Sequence, residues 1–227
     1  PPTDILCYMF EGCQQLQDIS ALAKWNVSNV KAMRAMFHGC DQLKDISALA
    51  NWNVSNVKDM SDMFAYCRQL QDITGLANWD VSNVKNMQSM FASCERLQNL
   101  STLSKWNVSN VKDMNHMFYF CEQLQNITGL ANWDVSKVEN MSAMFGYCNE
   151  LQNIGALSKW NVSSVKDIKW IFFNRQGKDI TALTNWRVFN TEDKREDTEP
   201  INNPKPSALI IDLPSDWQNI EILQWNP

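Results

Sequence analysis

Glycine and histidine are scarce in this 227-residue chain, which has seven of the first and two of the second. No glycine-rich loop that would cradle a phosphate is present, and no Ser–His–Asp set or zinc-hydrolase motif. Basic excess is also missing. Lys and Arg number 20 against 25 Asp and Glu, for a net charge of −5, which argues against a nucleic-acid partner because phosphate binding draws on a basic surface. The seven cysteines include no Cys-x-x-Cys pair, so a zinc site is not expected. No apolar run is long enough to span a bilayer, and no signal peptide is visible. An opening Pro1-Pro2 in place of Met is expected of a processed chain, so the missing signal says little about location.

What the sequence does have is a period of 27 residues. Trp25, Trp52, Trp79, Trp106, Trp133 and Trp160 keep it, and Trp186 follows after 26. Phe10, Phe37, Phe64, Phe91, Phe118, Phe145 and Phe172 keep it too, as do the Leu16 to Leu151 and Val27 to Val162 series. Repetition this dense marks an array in which each unit buries its apolar face on its neighbours.

Within a unit, Val57, Met60, Met63, Phe64 and Cys67 stand at helical spacing, which predicts an amphipathic helix capped by Ser55 or Asn56. Leu70 to Leu76 reads as a short strand, and Ala77 to Ser82 as a connection to the next helix. Stacked strand–helix units predict an α/β solenoid with a parallel sheet on one face and helices on the other. Residues 1–190 form the expected solenoid, from a partial first unit through about six full ones. Residues 191–206, charged and proline-rich, read as a linker or loop, and 207–227 as a capping segment.

The repeat also accounts for most of the unusual residues. Cys13, Cys40, Cys67, Cys94, Cys121 and Cys148 lie three residues after a Phe and read as small buried hydrophobes, leaving Cys7 as the thiol expected to be exposed. The Met33 to Met141 series reads as core rather than copper ligands, and the tryptophans as rings stacked on one another. Asn26-Val27-Ser28 and its copies match a glycosylation sequon. Asp80 and Asp134 replace the Asn in two units, which points to a turn served by either side chain. His38 and His116 fall in different phases of the repeat, so stacking makes no histidine pair.

One polar face remains for function. Asp18, Asp45, Asp72, Asn99 and Asn126 align along it, beside Ser20, Ser47, Thr74, Ser101 and Thr128. Three stacked carboxylates invite a calcium ion, but Ca²⁺ needs many oxygen ligands, and a solvated polar ladder is the simpler reading. Tyr119 and Phe120 break the repeat consensus and form a second candidate surface.

The string Asn-Trp-Asp-Val-Ser-Asn-Val-Lys-Asn-Met-x-x-Met-Phe-x-x-Cys-x-x-Leu at 78–97 resembles the BspA-like leucine-rich repeat of bacterial surface proteins, in particular the variant of mycoplasma-type lipoproteins. The resemblance covers roughly residues 5–190. It implies a leucine-rich-repeat fold, display on the cell surface or secretion, and adhesion or host interaction in a few members. It carries over no catalytic residue and no cofactor. The expected function is therefore a non-catalytic binding or adhesion scaffold for a protein or glycan. The alternatives are a structural spacer and a secreted effector directed at a host.

Overall fold

The computed structural model describes residues 4–174, 180–184 and 186. Three side-chain-closed turns shape each 27-residue coil. In the coil from Asn53 to Trp79, Asn53 Oδ1 accepts the amide of Ser55 at 3.1 Å, Asp59 Oδ1 that of Ser61 at 2.9 Å, and Asp72 Oδ1 that of Thr74 at 2.7 Å. The residue between, Val54, Met60 or Ile73, is buried in each case. Asp and Asn suit these places because their short side chains reach the amide two residues on. At the Asn26 position Asn and Asp close the turn alike: Asp80 accepts the amide of Ser82 at 3.0 Å and Asp134 that of Ser136 at 3.1 Å.

The segment from Met60 to Cys67 is not a helix. Its internal bonds link residues three apart, such as Ala65 N to Asp62 O and Cys67 N to Phe64 O, so it is a run of tight turns. Asp62 and Tyr66 sit in the left-handed region at φ 57° and 60°. The amides of Met60, Asp62, Phe64 and Tyr66 all point to the next coil, bonding the carbonyls of Asn86, Gln88, Met90 and Ala92 at 2.7–3.0 Å. The apolar spacing predicted a helix because successive three-residue turns bury the same 57, 60, 63, 64 and 67 positions that a helix would.

The strand expected over Leu70 to Leu76 is also absent. Asp72 pairs with Asp45 as a single parallel bridge, and Asn126 with Asn99. Each chain then turns straight into a 3-10 helix, Thr74–Leu76 or Thr128–Leu130. A second column of single bridges joins Ile5, Ala32, Asp59, Asn86, Asp113, Asn140 and Asp167 in order. Among the described residues there is no sheet, so the predicted α/β solenoid of strand–helix units gives way to a stack of turn-built coils. The physical reason is that side-chain-closed turns interrupt the backbone every few residues, leaving only isolated positions extended enough to pair.

The stack is held through its interior. Phe37, Phe64, Phe91, Phe118 and Phe145 lie ring on ring with centroids 5.6–5.7 Å apart. The tryptophans stack likewise, with centroids 6.3–6.5 Å apart from Trp25 to Trp79 and again from Trp106 to Trp186. Each indole N–H from Trp52 onward donates to a leucine carbonyl of the preceding coil, as Trp79 Nε1 does to Leu49 O at 3.0 Å. Trp25 has no described coil beneath it and is 37% exposed, against 2–4% for the six above. The core continues upward through Ile168, Ile171, Phe172 and Leu183. The expected linker at 191–206 and cap at 207–227 lie outside the described residues.

Two glycines set the closest approach between coils. A Cβ on Gly75 would overlap Ile46 O and stand 3.0 Å from Ile46 C, and one on Gly129 would overlap Leu100 O and stand 2.8 Å from Leu100 C. These are the coils in which the Asp45–Asp72 and Asn99–Asn126 bridges form, while Ala48, Thr102 and Ala156 occupy the same place elsewhere. Gly129→Ala therefore has to push backbone apart, and a loss of about 1–3 kcal/mol in denaturant-induced unfolding is expected, since overpacking a tight site typically costs that much. An Ala156→Gly variant leaves the coil spacing as it is and serves as the comparison.

Candidate functional site

The aligned polar column is present, and one oxygen of each side chain is occupied. The Oδ1 atoms of Asp18, Asp45, Asp72, Asn99 and Asn126 accept the amides of Ser20, Ser47, Thr74, Ser101 and Thr128 at 2.7–2.9 Å. The hydroxyls of Ser47 and Thr128 turn back to the same side chains at 3.1 and 2.7 Å. The backbone amide and hydroxyl of Ser20 hold the Asp18 carboxyl below its ordinary value. These residues shape the turn before each 3-10 helix, and among the described residues no three His, Cys, Asp or Glu converge as a metal site.

The cysteines are equally committed. From Cys40 onward each Sγ lies 3.1–3.2 Å from a phenylalanine carbonyl of the coil below, for example Cys67 Sγ to Phe37 O. Burial pushes the Cys40 thiol up to about 12 and the thiols of Cys67, Cys94, Cys121 and Cys148 well above the ordinary value. A thiolate is the reactive form, so these five are inert. Sequence reasoning singled out Cys7 as exposed, yet Cys7 is half-buried and Cys13, at the open lower end of the ladder, is the exposed one.

Tyr119 and Phe120 prove to be part of a larger break in the repeat. Phe120 stacks on Tyr147 at 4.1 Å, Tyr119 meets Tyr147 edge-on at 5.5 Å, Phe173 meets Tyr147 at 5.1 Å, and His116 meets Tyr119 at 4.9 Å. A Cβ on Gly146 would lie 2.9 Å from Tyr119 Cδ2, so the missing side chain makes room for the ring. All five rings are half-buried on the outside of the turn ladder. The sequence carried the signal, because Ala65 and Ala92 stand where Tyr119 does, but it shows only once the 27-residue columns are laid side by side. Burial among these rings holds His116 below its ordinary value, against the opposing pull of Asp113 and Asp167.

A second feature escaped the sequence reading because it is part of the consensus. Asp4, Lys31, Lys58, Lys85, Lys112, Glu139 and Lys166 form one column, tied by backbone bonds of 2.7–2.8 Å from each amide to the carbonyl one coil below. Lys31 pairs with Asp4 at 3.2 Å. Glu139 bridges Lys112 at 2.8 Å and Lys166 at 2.6 Å, and those bonds draw its carboxyl down to about 2. An open cleft of about 420 Å³ lies beside Glu139, lined by Lys112, Lys137, Lys166, Ser163 and Ser164.

A family described as "Mycoplasma protein of unknown function, DUF285" matches residues 4–126 and, overlapping, 91–201. No curated protein matches the sequence. Among solved structures, a leucine-rich repeat protein from Bacteroides ovatus is similar at 15% identity, with a TM-score of 0.30 and 82% of this chain covered. The match spans 64% of that protein's length.

Two measurements check this account. A small thiol reagent at pH about 8 is expected to modify Cys13, and Cys7 more slowly, in the native protein, and all seven thiols after denaturation; rapid native labelling of Cys94 or Cys121 contradicts the buried ladder. The lowered His116 value means that the unfolded chain takes up a proton near the ordinary histidine pKa and the folded chain only below it. Stability therefore falls as pH drops through that window. His116→Gln is expected to lose less melting temperature than the parent between pH about 7.5 and 5.5, and an equal loss in both proteins speaks against the assignment.

Proposed function

We propose a binding role for this chain, which belongs to the DUF285 family of Mycoplasma proteins of unknown function: it acts as a non-catalytic adhesion scaffold, displayed on the bacterial surface as a lipoprotein or secreted, and presents its flank to a protein or glycan. The observation that carries this reading is where the reactive groups lie. The cysteines from Cys40 onward are buried, the side chains of Asp18, Asp45, Asp72, Asn99 and Asn126 are tied to backbone amides, and His38 and His116 sit in different coils at different places in the repeat. What faces solvent among the described residues is a repeated, shallow surface that includes an open cleft beside Glu139 and the aromatic break at Phe120 and Tyr147. Surfaces of that kind suit extended partners rather than a small substrate that must be enclosed.

The direct test is to present the folded protein to a glycan array and to detergent-solubilised host-cell surface proteins. Saturable binding to a defined class is expected. Should the folded protein bind neither, the scaffold role fails and a passive spacer becomes the better description.

A further inference from the structure

The column that begins at Asp4 places four consecutive lysines, Lys31, Lys58, Lys85 and Lys112, on one flank, one per coil. Their backbones are bonded amide to carbonyl at 2.8 Å, which fixes their register, and parallel neighbours in such a ladder stand about 4.8 Å apart. Like charges stacked this closely repel one another. The chain relieves the repulsion at both ends with its own carboxylates, Asp4 on Lys31 and Glu139 on Lys112. In the middle it does not: among the described residues Lys58 and Lys85 have no carboxylate or other side-chain acceptor. The neighbouring Asp59 and Asp113 are no substitute, because each is turned into its own turn, onto Ser61 and Asn115 at 2.7 and 2.6 Å.

The upper end of the column opens on the cleft. Lys112, Lys137 and Lys166 bring three positive charges against the single carboxylate of Glu139, and Ser163 and Ser164 line the same space. Lys137 reaches across to Asn110 Oδ1 at 3.0 Å, which holds its ammonium at the rim. A linear row of cations that leads into a hydroxyl-lined, positively charged cleft is complementary to a linear polyanion.

We propose that this flank, from Lys31 to the cleft at Lys137, binds an extended anionic polysaccharide. Its carboxylates or sulfates pair with Lys58 and Lys85, and a sugar unit rests in the cleft against Ser163 and Ser164. The proposal deepens the binding role above and rests on it. It selects a sugar polymer over a nucleic acid because the cleft lining offers the hydroxyls of Ser163 and Ser164 to sugar hydroxyls and no aromatic ring for a base to stack on.

The test is titration of the folded protein with a sulfated heparin octasaccharide, alongside neutral dextran, a single-stranded DNA of similar length and phosphatidylglycerol vesicles. The octasaccharide is expected to bind, and to weaken steeply between about 50 and 300 mM salt as screening shortens. The double variant Lys58→Glu/Lys85→Glu is expected to bind at least about tenfold more weakly while keeping its melting temperature, since Glu139 already occupies the same column. Lys137→Ser, which copies Ser164 one coil up, is expected to cost about threefold. Lys44→Glu, outside the column, is the control and stays within about twofold. Equal loss in the Lys44 variant, or DNA or vesicles bound as tightly as the octasaccharide, overturns the assignment. If the octasaccharide binds the double variant as tightly as the parent, or fails to bind a parent that does bind a protein or a neutral glycan, this flank is wrong but the scaffold role stands; if no ligand binds either protein, the scaffold role itself fails.

Discussion

The backbone amides on the turn ladder cannot be satisfied within their own coil. At Met60, Asp62, Phe64 and Tyr66 they point along the stack, and only the carbonyls of the next coil meet them. A buried amide left without a partner costs about 1–3 kcal/mol, whereas a made bond contributes about 1 kcal/mol net. The conformation that aims these amides puts two residues per coil in the left-handed region. Among the described residues twelve such positions are not glycine, so strain of about 1–2 kcal/mol apiece is accepted along the stack. Four bonds per coil, with the stacked phenylalanines and tryptophans behind them, offset that strain.

This constraint explains which parts of the structure could be read in advance. The repeat, the buried cysteines and the stacked tryptophans followed from spacing, because identical residues one coil apart must meet if the units stack. The appearance of Asp80 and Asp134 in a column otherwise held by asparagine correctly signalled a side-chain-closed turn. The local geometry did not follow. A helix and a run of tight turns bury the same Met-x-x-Met-Phe-x-x-Cys positions, and Gly12 and Gly39 were the slight hints that this segment visits positive φ. Tyr66, Phe120 and Trp170 occupy the same conformation, which few aromatic residues adopt. Asp72 and Asn126 looked like strand residues on a solvated face, yet their side chains end the extended stretch as soon as it begins.

The candidate surfaces were legible to different degrees, for the same reason. Tyr119 and Phe120 stood out because they depart from the consensus, while their partners Tyr147, Phe173 and His116 became visible only when the coils were stacked. The lysine column was hidden by its regularity. In a linear sequence a lysine every 27 residues is an ordinary solvated charge, and the overall acidity of the chain draws attention away from it. Stacking turns that dispersed composition into a continuous charged edge.

The ladder amides all point the same way, from Tyr8 to Tyr147. The array therefore has a direction, as a thread has a pitch: donors of the turn ladder face one end, while the lysine-column amides and the indole N–H groups face the other. No single coil can be stable alone, because its strained turns are justified only by the neighbour that receives their hydrogens. The smallest cooperative element is a pair, so denaturation should travel inward from the ends like a zipper, and a point defect in the middle divides the molecule into two shorter and separately melting pieces.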